Sequence, residues 1–129
     1  MTLRILMIAS SVVLSAAGIV ASFAPAESLV ALGVSPAAPM PVFVQLLGAT
    51  YLAFALTNWT AKDNAIGGIY SRPISLGNSV HFTMGALALG KLGADPAARP
   101  ELYAAAVVYV MFAGAFLWLV FGSQGPRQR

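Results

Sequence analysis

The sequence predicts an all-α membrane protein, a bundle of four transmembrane helices. Three observations lead there. The chain has 129 residues, of which 59% are hydrophobic and only 9% charged. A soluble domain carries about 25% charged residues, so this chain has too little polar surface to be stable in water. All eleven charged residues lie between long apolar runs and none lies inside one. Each run approaches the ~20 residues a helix needs to cross ~30 Å of hydrocarbon. Inside a bilayer the backbone must satisfy its own hydrogen bonds, which makes these runs helices. The alternating ~10-residue segments of a β-barrel are missing.

The first uncharged run covers residues 5–24. Ser11, Ser15, Gly18 and Ser22 recur there on one helical face, a pattern that lets transmembrane helices approach closely. Arg4, the apolar stretch and Ala24-Pro25-Ala26 also resemble a secretory signal with a cleavage site. The run is longer than the 7–15 residues of a typical signal core, which favours a retained first helix over a cleaved one.

The first connection contains Pro25, Pro36 and Pro39. Within it, residues 27–34 are too short to span and too apolar for a free loop. They are expected either to form a short interfacial helix with Leu29 and Leu32 toward lipid, or to be a plain connector. A helix restarts near Pro39 or Pro41 and covers residues 40–61. Gly67 and Gly68 form a turn, since a glycine pair tolerates positive φ. The third span, residues 73–90, is the most polar and opens on Pro73. The fourth, residues 102–122, follows Glu101, whose charge suits a helix N-terminus. The four spans form a single membrane domain over residues 1–129, without internal repeats.

Lysine and arginine set the orientation. One side carries Arg4, Lys62, Arg72, Arg127 and Arg129; the other carries Lys91 and Arg99. Both termini are therefore expected in the cytoplasm, with the chain a multi-pass protein of a bacterial inner membrane. Trp59, Tyr70 and Trp118 then fall near the inner interface as anchors, and Tyr103 near the outer one. The net charge of +3 is read as this flanking pattern meeting lipid headgroups, with no role for nucleic acid.

Polar groups inside hydrocarbon are costly and need a partner or a purpose. His81 is the one histidine, at about mid-depth in the third span, with Asn78 on the same face. Asn58 ends the second span beside Trp59. The functional reading is a small polar pocket near Asn58, Asn78 and His81, with Tyr70 and Arg72 at its inner mouth. It would hold a small amphiphile or a polar or anionic headgroup. The plainer reading is that His81 bonds Asn78, a tyrosine or a serine and only fixes packing. Lys62 and Asp63 read as solvated.

Catalysis is disfavoured, and no catalytic residue is assigned. One histidine with no carboxylate beside it is a poor acid–base pair. Cysteine is absent and no span contains Asp or Glu, so the three ligands of a catalytic zinc are missing and no metal or cofactor is expected. A single proximal histidine for a haem-type metal is the one such arrangement left open. The sequence has no Walker, Rossmann, G-x-S-x-G or H-E-x-x-H motif.

From Asn58 to Phe82 the chain contains Asn58-Trp59, then Ile66-Gly67-Gly68-Ile69-Tyr70 with Arg72-Pro73, then Asn78 and His81-Phe82. This segment resembles a family of uncharacterised bacterial four-helix membrane proteins. The resemblance implies the four-helix fold and no particular activity. Similarity to DoxX-like proteins rests on helix count alone, an analogy of fold. The competing functional reading is an accessory subunit of a larger membrane complex, or a homo-oligomer, supported by the small-residue face of the first span and by Ala86 and Gly90 on the third.

Overall fold

The computed structural model describes residues 3–63, 71–94 and 99–122. It is helical, with no strand among those residues. The elements are α1 (Leu3–Phe23), α2 (Pro25–Ala31), α3 (Met40–Ala61), α4 (Ser71–Gly93) and α5 (Pro100–Leu117), with a π-helical turn at Trp118–Gly122. Three stretches are long and apolar enough to cross a membrane: Leu3–Phe23, Met40–Ala61 and Pro100–Gly122. Helix α4 is not in that group. At 23 residues it has the length, ~35 Å at 1.5 Å per residue, but its serines, Asn78, His81 and Arg72 make it too polar. The chain divides into two compact units, Met1–Lys62 and Asp63–Arg129.

In the first unit α1 packs antiparallel on α3 through small residues. A Cβ on Gly18 would lie 3.0 Å from the Gly48 carbonyl oxygen, and one on Gly48 would lie 2.9 Å from the Gly18 carbonyl oxygen. The two backbones therefore approach reciprocally, as small residues permit between membrane helices. Farther along, the Ser11 hydroxyl donates to the Ala55 carbonyl at 2.8 Å. The predicted face is thus used at Ser11, Gly18 and Ser22, while Ser15 is only half-buried. Gly48 and Ala55 form the matching seam on α3.

Helix α2 confirms a short helix in the first connection and corrects its orientation. Leu29 is buried and Leu32 exposed, so Leu29 does not face outward as expected. The helix ends because Gly33 takes a positive φ of 77°. That turn lets Gly33 N–H donate to Val30 O at 2.9 Å and Val34 N–H donate to Leu29 O at 2.8 Å. The paired bonds form a glycine-terminated Schellman cap. Helix α3 then starts after Pro39, with Pro41 in its first turn.

The second unit is an antiparallel pair, α4 with α5. Arg99 is extended ahead of α5, and Pro100 occupies the helix start, where a missing N–H costs nothing. Glu101 lies in the first turn, as its charge favours. Register is set at two points. Tyr103 lies beside Gly93, and the Tyr109 ring occupies the space that a Cβ on Gly85 would need.

Beside an apolar core that includes Met7, Leu14, Phe82 and Phe116, many apolar residues are exposed and several polar ones are buried. Leu46, Leu56, Met84, Val107 and Met111 are exposed, while Ser10, Ser11, Asn58, Ser75, Asn78 and Ser79 are buried. Exposed hydroxyls on α3 are satisfied by their own helix. Thr50 donates to Leu46 O at 3.0 Å, and Thr57 donates to Ala53 O at 2.8 Å. This suits a chain whose surroundings are apolar, since a hydroxyl facing lipid has no water to bond.

Candidate functional site

The polar residues singled out from the sequence fall into both units, and each unit is built differently around them. Asn58 belongs to the first. It is fully buried on α3, and its amide donates to the Ser10 hydroxyl at 2.9 Å. Ser10 in turn donates to the Met7 carbonyl at 3.1 Å. The result is a relay of hydrogen bonds from α3 through α1, as a buried polar group requires.

Next to it, Trp59 is about half exposed. Lys62 is not simply solvated. Its ammonium donates to the Trp59 carbonyl at 3.1 Å and lies 4.3 Å from the Trp59 ring centroid. The cation therefore caps the carbonyl end of α3, where the helix dipole favours positive charge, and also gains a cation–π contact. Arg72, expected at the inner mouth of the pocket, is an exposed residue in the first turn of α4, next to Pro73. Tyr70, Gly67 and Gly68 lie outside the described residues.

Asn78 and His81 belong to the second unit. Helix α4 buries Ser71, Ser75, Asn78, Ser79 and Phe82, which recur at helical spacing along one face. The Asn78 amide donates to the Ile74 carbonyl at 2.9 Å, and the Ser79 hydroxyl donates to the Ser75 carbonyl at 2.8 Å. Both bonds run back one turn, so these side chains are partly satisfied by their own helix.

His81 sits at the flank of that face and is half-buried. Across the helix pair, the Tyr109 hydroxyl comes to 3.5 Å from Nε2 of His81. Phe82 fills the neighbouring position. It is fully buried, edge-on to Tyr109 at 5.2 Å and stacked with Phe112 at 4.8 Å and Phe116 at 5.7 Å. Such aromatic contacts contribute roughly 0.5–1.5 kcal/mol each beyond burial. His81 also meets Phe82 edge-on at 5.1 Å. The imidazole is therefore held on one side by the Phe82 ring and on another by the Tyr109 phenol.

Two features here carried no sequence signal that fixed their role. Tyr109 is one tyrosine in the apolar run 102–122, and only the α4–α5 register pairs it with His81. Gly85 was one more glycine in an apolar run, yet it makes room for the Tyr109 ring. Among the described residues no three His, Cys, Asp or Glu side chains lie together as a metal site. Chemically, an imidazole and a phenol in apolar surroundings can donate and accept hydrogen bonds with a carbonyl or hydroxyl. Trp118, the other expected anchor, is strongly exposed at the start of the π-helical turn.

Comparison with known proteins finds no matching family model, no matching curated protein and no matching solved structure.

Proposed function

We propose that this chain is a four-span protein of a bacterial inner membrane, with both termini in the cytoplasm, that binds a small amphiphile without transforming it. In this reading α4 is the third span and carries Asn78 and His81 to about mid-depth. The ligand places a hydrogen-bonding headgroup, a carbonyl or hydroxyl, against His81 while its apolar part lies among side chains of the same character. We also place the chain with the four-helix family that its Asn-Trp, Gly-Gly-Ile-Tyr and Asn-x-x-His-Phe segment resembles.

One observation carries the reading: the only imidazole of the sequence is half-buried beside a phenol, on a helix whose exposed residues between Arg72 and Lys91 are apolar. An ionisable side chain within a span is a functional candidate by default. The exposed Val80, Met84 and Leu87 on α4 support its embedding. Between its charged ends, Arg72 and Lys91, α4 buries Ser75, Asn78 and Ser79 and exposes apolar residues, so length and that apolar exterior stand in for overall apolarity.

The test is native mass spectrometry of the full chain, gently extracted from its own membrane. A stoichiometric small molecule on the wild type, absent from a folded His81→Ala variant, is the expected result. A bare chain in both samples would overturn the reading. The second reading, an accessory subunit, is favoured by Gly90 and Gly114, where an added Cβ would meet nothing within 4 Å. Such uncovered glycines leave room for a partner helix. Under it, the same experiment returns a stoichiometric protein and no ligand.

A further inference from the structure

Gly85 and Tyr109 were not among the polar residues assigned to the site, yet their geometry bears on what His81 can do. Gly85 follows His81 by one helical turn and faces the same partner helix. An added Cβ there would overlap Cδ1 and Cε1 of the Tyr109 ring. The ring thus lies directly on the α4 backbone, and its hydroxyl reaches back along α4 to Nε2 of His81 at 3.5 Å. Phe82 closes the ring's other approach, edge-on at 5.2 Å, so the phenol is held from two directions.

We propose that Gly85 is a positioning residue. It seats Tyr109 so that the phenol donates its proton to Nε2 of His81 and holds the neutral imidazole in its Nδ1–H form. A phenol is a stronger donor than acceptor, and a neutral imidazole offers one nitrogen of each kind. Which nitrogen carries the proton follows from the bond the other one makes. An imidazole fixed in this way holds one tautomer instead of a mixture of two. This inference rests on the reading of His81 as the ligand-facing group, but its test needs no ligand.

The chain has one histidine, so its two ring nitrogens give unambiguous signals. The experiment is nitrogen NMR of the full chain, labelled with 15N-histidine, purified with a histidine-free tag and placed in lipid nanodiscs. The wild type is expected to be protonated at Nδ1 and bare at Nε2. Tyr109→Phe and Gly85→Ala should each raise the Nε2–H population several-fold, although Gly85→Ala retains the phenol. Gly90→Ala, where a Cβ meets nothing within 4 Å, should match the wild type.

A wild-type ring protonated at Nε2 or at both nitrogens would overturn the proposal. So would a Gly85→Ala spectrum identical to the wild type. Should Gly85→Ala fail to fold, the wild type still decides. A nuclear Overhauser contact between the Gly85 α-protons and the Tyr109 ring is required, and its absence would refute the seating. A fixed tautomer in a protein that binds no amphiphile would retain this role for Gly85 and retire the ligand reading.

Discussion

Gly18 on α1 and Gly48 on α3 face each other so closely that neither position has room for a methyl group. A Cβ on Gly48 would lie 2.7 Å from the Ser22 backbone nitrogen and 2.9 Å from the Gly18 carbonyl oxygen. Those neighbours are backbone atoms and cannot turn aside as a side chain can. One α-hydrogen of Gly48 points instead toward oxygen atoms, including the buried Ser22 hydroxyl, which has no conventional hydrogen-bond partner among the described residues. Weak Cα–H···O contacts recur at such helix crossings and are worth about 0.5–1 kcal/mol each.

Gly48→Ala should therefore destabilise the first unit by about 1–3 kcal/mol, the usual cost of overpacking. Gly114→Ala, with open space at its Cβ, should change stability little. Thermal unfolding of both variants in one detergent checks this. Equal melting temperatures for the two would contradict the crossing.

The Asn58–Ser10 bond predicts a modest effect. Interhelical hydrogen bonds in membranes average ~0.6 kcal/mol and reach ~1.7. Asn58→Ala should cost within that range, plus a term for the space left by a fully buried side chain. Adding Ser10→Ala should cost less in the Asn58→Ala background than alone, because the two groups share one bond. A double-mutant cycle of unfolding free energies measures the coupling; full additivity would deny the bond an energetic role.

Phe82 should be the most sensitive apolar position of the second unit. It is fully buried among Tyr109, Phe112 and Phe116. Phe82→Ala is expected to cost about 3–5 kcal/mol, the range for emptying an aromatic core site. Met84→Ala, at an exposed site two residues away, should cost far less. Protease resistance of the α4–α5 pair, followed against denaturant, separates the two.

Much of this architecture is legible in the sequence because charge placement and the 3.6-residue period are local properties. The limits of α3, the breaks at Pro25 and Pro39, and the small face of α1 all follow from them. What escaped depends on partners. Leu29 was assigned outward because a short apolar helix does not declare which side meets protein. Lys62 was read as solvated because its fold-back onto Trp59 needs the helix end in place. The sequence anticipated a tyrosine, a serine or Asn78 as a partner for His81, but only the α4–α5 register selects Tyr109.

The central claim is that α4 crosses the membrane despite its polarity and carries His81 to mid-depth. The chain has no cysteine, so a single Val80→Cys substitution gives a unique spin-label site on an exposed apolar position next to His81. The measurement is relaxation of that label, in vesicles, by oxygen against a water-soluble nickel chelate. An embedded α4 predicts strong relaxation by oxygen and little by the chelate. Strong relaxation by the chelate would place α4 in water and contradict the account.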